Sequence, residues 1–418
     1  MNRLRPHSAA LILLLGALVT MASFATDMGL PVLAQTAASP GVAPGTAALT
    51  FSVFLAGFAL GPILFGPLSD SHGRRPILLI GCAMFVVFGA LAAFSQSLNA
   101  LLVWRFLMGT GAGAVQVLVV AMVRDLFTGN EARVKQSYVN LAGGVAPIIA
   151  PTIGVAVAAF GGWRAIYGVL ALGGMVLFIV AALRLGESAL PRANATRTVR
   201  AAVGSYAIVF RHPVTLGYVI VIALNFGCLF AYVSGSSLVL IGLLGVSRRT
   251  YGLLFASTSF GLMIGAFTSA RLSRRGVSHA RLIAWGLGAI VMSAVLLVAL
   301  TLAGWLPVWV LVPVALVGFI GHGIVRPNAT QGALEPMAAI AGVASAVITA
   351  VQMLTGALAS SVVAAMFNGR TALAVTGTMA VCATGSALVY TAIVRPAERR
   401  GPQTSQAREF LHQTNIIA

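Results

Sequence analysis

A chain crosses a bilayer as a helix only where about 20 mostly apolar residues follow one another, because the hydrocarbon core is roughly 30 Å thick and a helix rises about 1.5 Å per residue. Runs of that kind recur along nearly the whole of this sequence, at residues 8–33, 47–69, 77–95, 100–122, 136–160, 165–185, 213–234, 250–271, 280–302, 306–326, 338–366 and 371–393. Little remains between them, which leaves no room for a soluble catalytic domain. Of the 418 residues 59% are hydrophobic and only 8% charged, and the mean hydropathy is +0.98, values of the membrane class. The predicted fold class is an all-α membrane protein with twelve transmembrane helices. The first run follows Arg3 and Arg5 but is read as a span: it is long for the apolar core of a signal peptide and carries Asp27 near its end.

Arginine and lysine mark the cytoplasmic loops of a membrane protein. With an even number of spans and the N-terminus inside, the exterior segments hold only Arg164, Arg248, Arg249 and Arg370, Arg105 lies within a span, and all the other basic residues fall inside. This asymmetry predicts both termini in the cytoplasm. The formal charge of +18 is scattered over separate turns and not gathered on one face with aromatics, so it points to anionic lipid headgroups and not to nucleic acid. Cys82, Cys228 and Cys382 lie in apolar spans without ligand spacing and are read as small buried hydrophobes, with neither disulfide nor metal.

The longest interruption, residues 186–212, is polar and basic. It predicts a cytoplasmic linker between an N-terminal six-helix bundle (1–185) and a C-terminal one (213–395), followed by a cytoplasmic tail (396–418). Transporters are often built from such repeats, with the substrate site between them near the midplane. A faint echo agrees: "SARLSRRGVSHARL" (269–282) follows the eighth span as "GPLSDSHGRRPIL" (66–78) follows the second, without its acid.

Eight acids are few enough to weigh singly. Asp70, Asp125, Glu131, Glu187 and Glu335 fall at span ends or turns, and Glu398 and Glu409 in the tail; Asp27 alone sits within an apolar span. An Asp at the centre of a spanning helix costs about 2.5–3.5 kcal/mol, so it normally faces a cavity or a partner, as a proton carrier would. The alternative is a wetted, inert residue near the helix end. Arg105, five residues into the fourth span in "LLVWRFLMGTGAGA" (101–114), either snorkels to the interface or faces a cavity. In "GGVAPIIAPTIG" (143–154) Pro147 and Pro151 remove backbone donors and predict a bent helix, while Gly143, Gly144 and Gly154 allow close packing.

Taken together, these stretches resemble the major facilitator superfamily, and within it the twelve-span drug:proton antiporters. "GPLSDSHGRRP" resembles the superfamily's signature between spans two and three, with Gly66, Asp70, Gly73, Arg74 and Arg75 on its key positions. Arg105 with Gly109, Gly111 and Gly113 resembles the fourth-span motif, and "GGVAPIIAPTIG" the fifth-span motif of antiporters. "TDMGLP" (26–31), "VRDLF" (123–127), "GWRAIY" (162–167), "LGESALP" (185–191) and "RPNATQGAL" (326–334) are similar to the bicyclomycin and chloramphenicol resistance subfamily, Bcr/CflA. Three positions depart from it: Gly29 where an aromatic is usual, Met108 for a frequent Gln beside Arg105, and Ser71 for a frequent Arg.

The resemblance implies a bacterial inner-membrane monomer that exports a small lipophilic substrate by alternating access. The proton gradient is the energy source, and no cofactor is needed. Asp27 and Arg105 would serve proton coupling. The stretch from Gly66 to Arg75 would act as a latch that engages in one state and releases in the other, as a charge-assisted pair at the membrane edge can. A wall of Ala, Val, Leu, Met and Phe suits lipophilic compounds, and Gln116, Asn225, Tyr232, Asn328 and Gln352 are candidate polar contacts. The competing readings are export of an endogenous metabolite or amino acid, uptake by symport, and a membrane-embedded enzyme. The last lacks a constellation: the six His are dispersed, no nucleophile, metalloprotease or phosphate-loop motif occurs, and His322 is read as an interhelical hydrogen-bonding group.

Overall fold

The computed structural model describes residues 8–32, 48–188, 204 and 206–400. Arg3, Arg5, most of the 186–212 connection and residues 401–418 of the tail lie outside the described residues. The described chain is helical throughout, and eleven of its helices are long and apolar enough to cross a membrane. The longest, Gly129–Arg184, has 56 residues. At about 1.5 Å per residue it would be roughly 84 Å long, far more than one crossing. Its backbone is non-helical at Gly161 and at Gly162, where φ is 62°, so it is two helices meeting at a two-glycine corner.

The helices are thus α1 Ala9–Asp27, α2 Leu49–His72, α3 Arg74–Ala93, α4 Leu98–Leu126, α5 (129–160), α6 (163–184), α7 Pro213–Ser237, α8 Arg248–Arg274, α9 His279–Leu302, α10 Val308–Leu334, α11 Ala341–Met366 and α12 Leu373–Val389. A π-helical turn, Leu238–Leu243, continues α7, and a second, Tyr390–Val394, leads from α12 into the short α13, Arg395–Arg400.

Several helices outrun their apolar segments. α2 continues through the predicted turn to His72, so Asp70 is helical and Gly73 alone separates α2 from α3. α10 passes through Pro327 to Leu334. Hydrophobicity measures the hydrocarbon, whereas helical hydrogen bonding continues into the headgroup zone until something breaks it. At α2 the breaker is Gly73, whose φ of 94° few other residues tolerate. In α5 both Pro147 and Pro151 lie within helical backbone, and the run is broken later, at Gly161–Gly162.

Close approach between helices comes from missing side chains, since helices in lipid gain little from hydrophobicity and associate by contact. A Cβ at Gly109 or Gly113 of α4 would collide with the carbonyl of Phe54 or Phe58 on α2, and one at Gly265 of α8 with that of Ile320 on α10. The buried apolar side chains fall into two clusters. One is drawn from residues 11–185; the other from 209–394, joined by Leu30, Ala48 and Phe51. The two halves of the chain touch mainly where α2 crosses α11 and α5 crosses α8.

Candidate functional site

α1 ends at Asp27, and the chain then turns through Leu30–Val32, burying Leu30 among side chains of the second half. Asp27 is 5% exposed and is the one buried acid among the described residues. α5 lies directly against this helix end, because a Cβ at Gly154 would strike the carbonyl of Met28. Ala150 and Ala146, one and two turns earlier, are buried on the same face of α5. From the second half, Tyr251 of α8 lies within electrostatic range of Asp27, and its hydroxyl shares a 2.8 Å hydrogen bond with Ser236 Oγ of α7. Gly252, beside Tyr251, packs on Thr152 of α5. Asp27 therefore sits at the junction of the two halves, shielded from water and within electrostatic range of the Tyr251–Ser236 hydroxyl pair. Such a carboxyl can take up and release a proton, and each change alters the charge between the halves. Tyr251 and Ser236 were not foreseen: a Tyr and a Ser inside apolar spans carry no sequence signal until the fold brings them opposite an acid.

Arg105 neither snorkels nor pairs with Asp27. It is 1% exposed. Its Nη1 donates to the carbonyl of Ala25 at 3.0 Å and its Nε to that of Thr50 at 3.3 Å. The guanidinium carbon lies over the rings of Phe54, Tyr167 and Phe51 at 4.4, 5.4 and 5.9 Å. The Ala25 carbonyl belongs to the last turn of α1, where four carbonyls lack intrahelical donors and the helix dipole is negative. Arg105 thus ties the end of the helix that carries Asp27 to α2 and α6. Where a Gln would have offered a polar neighbour, Met108 gives its Sδ as a weak acceptor at 3.9 Å.

At the other end of α2, Arg74 Nη1 pairs with Asp70 at 2.6 Å and its Nε with Asp125 of α4 at 3.0 Å. Nη1 also donates to Ser69 Oγ at 2.6 Å. Glu187, just past α6, caps α3: its carboxylate accepts the backbone N–H of Arg74 at 2.9 Å and that of Arg75 at 3.1 Å. The Arg75 guanidinium in turn donates at 2.7 Å to Ala182 O in the last turn of α6. Both contacts set an opposite charge at a helix pole. Asp125 and Glu187 complete this cluster and were missed as partners, although both stood at span ends and inside the quoted stretches "VRDLF" and "LGESALP". Toward the second half, burial and the charge of Asp70 push the Tyr206 hydroxyl above its ordinary range, and the Arg124 side chain lies against the backbone of Gly342 at the start of α11. Replacing Glu187 with Ala removes an acceptor from two helix N–H groups and is expected to destabilise by about 1–2 kcal/mol. Thermal unfolding of the purified protein checks this, with Ser71→Ala expected to stay within about 0.5 kcal/mol.

The remaining candidates are dispersed. Gly66 has open space around it, as has Gly144, whereas a Cβ at Gly143 would press on Val19 of α1. Asn225 of α7 is buried and hydrogen-bonded to His322 Nδ1 of α10. Tyr232 and Gln352 are buried. Gln116 is half-buried on α4. The amide of Asn328 is committed to Ser269 Oγ of α8 and to Ile324 O, both at 2.7 Å, which makes it a brace between α8 and α10.

A family model described as Major Facilitator Superfamily matches residues 12–360. A bicyclomycin resistance protein homolog of Haemophilus influenzae is 31% identical over 391 residues, covering 91% of this chain and 94% of its own. A chloramphenicol resistance protein of Pseudomonas aeruginosa is 31% identical over 350 residues, covering 81% and 80%. Among solved structures, a POT family transporter in complex with a thioalcohol-conjugated peptide superposes with a TM-score of 0.74 at 14% identity, over 93% of this chain and 96% of that one. At that identity the last shows likeness of fold alone.

Proposed function

Since the chain belongs to the Major Facilitator Superfamily and is a multipass membrane protein by its helices, we propose that it is a proton-coupled exporter of small lipophilic compounds. The observation that carries this reading is the single buried acid, Asp27, set between the two halves beside Tyr251. Relatives of equal identity named for resistance to two different antibiotics support a site tolerant of shape, and apolar walls discriminate shapes poorly.

In this reading residues 1–185 and 213–395 are two six-helix bundles joined by the 186–212 linker, with both termini in the cytoplasm of a bacterium and the protein in its inner membrane. Deprotonated Asp27 accompanies substrate loading from the cytoplasm or inner leaflet. The bundles rock along the α2–α11 and α5–α8 contacts, and protonation from outside favours release and return. The membrane potential supplies about 2.3 kcal/mol per elementary charge per 100 mV, and a pH difference adds to it. The Asp70–Arg74–Asp125 cluster holds one state and loosens in the other. The protein acts as a monomer on substrate and protons, without a cofactor.

The test is proton release from inside-out vesicles with an acidic interior on adding lipophilic drugs, phenicols and bicyclomycin-like compounds among them. The expected result is release that depends on both compound and protein. If no compound moves protons, export of an endogenous metabolite or amino acid becomes the leading reading.

A further inference from the structure

The turn between α8 and α9 repeats the basic character of the turn between α2 and α3 without its acids. In the first, Arg74 is held by Asp70 and Asp125 and the backbone by Glu187. In the second, Arg271, Arg274, Arg275 and Arg281 are all exposed, and among the described residues none makes an ion pair with an acid. The acid that reaches this turn, Glu398, is engaged elsewhere: it accepts the Tyr218 hydroxyl at 2.5 Å and faces His279 Nε2 at 3.7 Å. These four guanidiniums in one short stretch are always charged, and each is able to grip a phosphate with two parallel N–H groups.

What faces these arginines follows from the helices that carry them. On α8 the exposed residues Phe260, Ile264, Phe267, Arg271 and Arg274 follow one another at spacings of four and three, a single stripe along the helix. On α9 Arg281, Trp285, Gly288 and Met292 do the same. Phe267 is 67% exposed, Trp285 56% and Met292 63%; in a spanning helix these surfaces are covered by acyl chains. The arginines end both stripes, so they lie where those same lipids place their headgroups, with Trp285 one turn into the membrane, as interfacial tryptophans stand.

We propose that Arg271, Arg274, Arg275 and Arg281 form a binding site for the headgroup of an anionic phospholipid whose acyl chains lie along α8 and α9. The lipid's phosphate fills the role that the protein's own carboxylates fill at the α2–α3 turn. The leaflet, though not the binding itself, rests on the cytoplasmic placement proposed above. Through the lipid, the α8–α9 turn is anchored to the headgroup layer while the α2–α3 turn is anchored to its own protein.

The experiment uses the full chain in phosphatidylcholine vesicles that contain a small fraction of phosphatidylglycerol or phosphatidylcholine with brominated acyl chains. Trp285 quenching is taken as the difference between the intact protein and Trp285→Phe. Brominated phosphatidylglycerol is expected to quench Trp285 about threefold more than brominated phosphatidylcholine at the same mole fraction. In the quadruple Arg→Gln variant at 271, 274, 275 and 281 the two lipids are expected to quench equally. If that variant does not fold, Arg274→Gln with Arg275→Gln decides, with a partial loss of the preference expected. Equal quenching by the two lipids in the intact protein overturns the proposal, and so does abolition of the preference by inorganic phosphate at unchanged ionic strength, which would mark a soluble-anion site. Loss of the lipid preference alongside intact drug-driven proton flux would overturn this inference alone; absent flux with the preference retained would count against the exporter reading alone.

Discussion

Replacing Asp27 with Asn is expected to reduce compound-driven proton release from acid-loaded inside-out vesicles at least about tenfold, to near background. The substitution changes almost no volume, so the packing of Gly154 on Met28 and of Leu30 in the second half has no reason to change. Burying an ionisable group without a paired charge is unfavourable, and among the described residues Asp27 has no ion-pair partner. Asp27→Asn is therefore expected to unfold at the same temperature as the parent or a higher one. What it removes is the ability to exchange a proton at the junction of the halves. No other described acid is buried; the rest lie at helix ends within reach of water. A mutant that couples as well as the parent would make Asp27 structural and move the carrier to an unburied acid. Retained binding with lost proton release would separate coupling from recognition.

The helical content, the near-positions of the long apolar helices and the burial of Asp27 were legible because each rests on a local count: apolar run length, or one acid among many apolar neighbours. Helix ends were less so. α2 passed its apolar boundary because backbone hydrogen bonding continues past the hydrocarbon until Gly73, whose φ of 94° ends it, a detail hydropathy does not register. The two sides of the charged cluster at the α2–α3 turn were visible to different degrees. Arg74 and Arg75 announced themselves as charges in an apolar chain, but their partners Asp125 and Glu187 are 51 and 113 residues from Arg74, and only tertiary structure brings them there. Arg105 illustrates the limit most directly. Its position near a span end left snorkelling and a cavity-facing role both open, and the neighbours that hold it in place, two carbonyls and three rings from α1, α2 and α6, are ordinary residues in their own segments.

Those neighbours make Arg105 a sharper test of mechanism than its burial alone. Arg105→Ala removes two charge-assisted hydrogen bonds and three cation–aromatic contacts and leaves a void among tightly packed helices, so a loss of about 3 kcal/mol or more is expected. Loss of transport in that variant would not separate folding from function. Arg105→Met does: it refills most of the volume with an apolar side chain beside Phe51, Phe54 and Met108, and it also removes the desolvation cost of a buried cation. Its thermal stability is expected to return to within about 1.5 kcal/mol of the parent. Transport is not expected to return with it, because the Ala25 carbonyl at the end of α1, two residues before Asp27, would have lost its donor and with it the tie to α2. Arg105→Lys keeps the charge, but a compact ammonium cannot reach both carbonyls in the geometry of a planar fork nor stack on the rings, so transport between that of the parent and of Arg105→Met is expected. If Arg105→Met recovered transport together with stability, Arg105 would be space-filling, and the placement of Asp27 would depend on the Gly154 contact with Met28 alone.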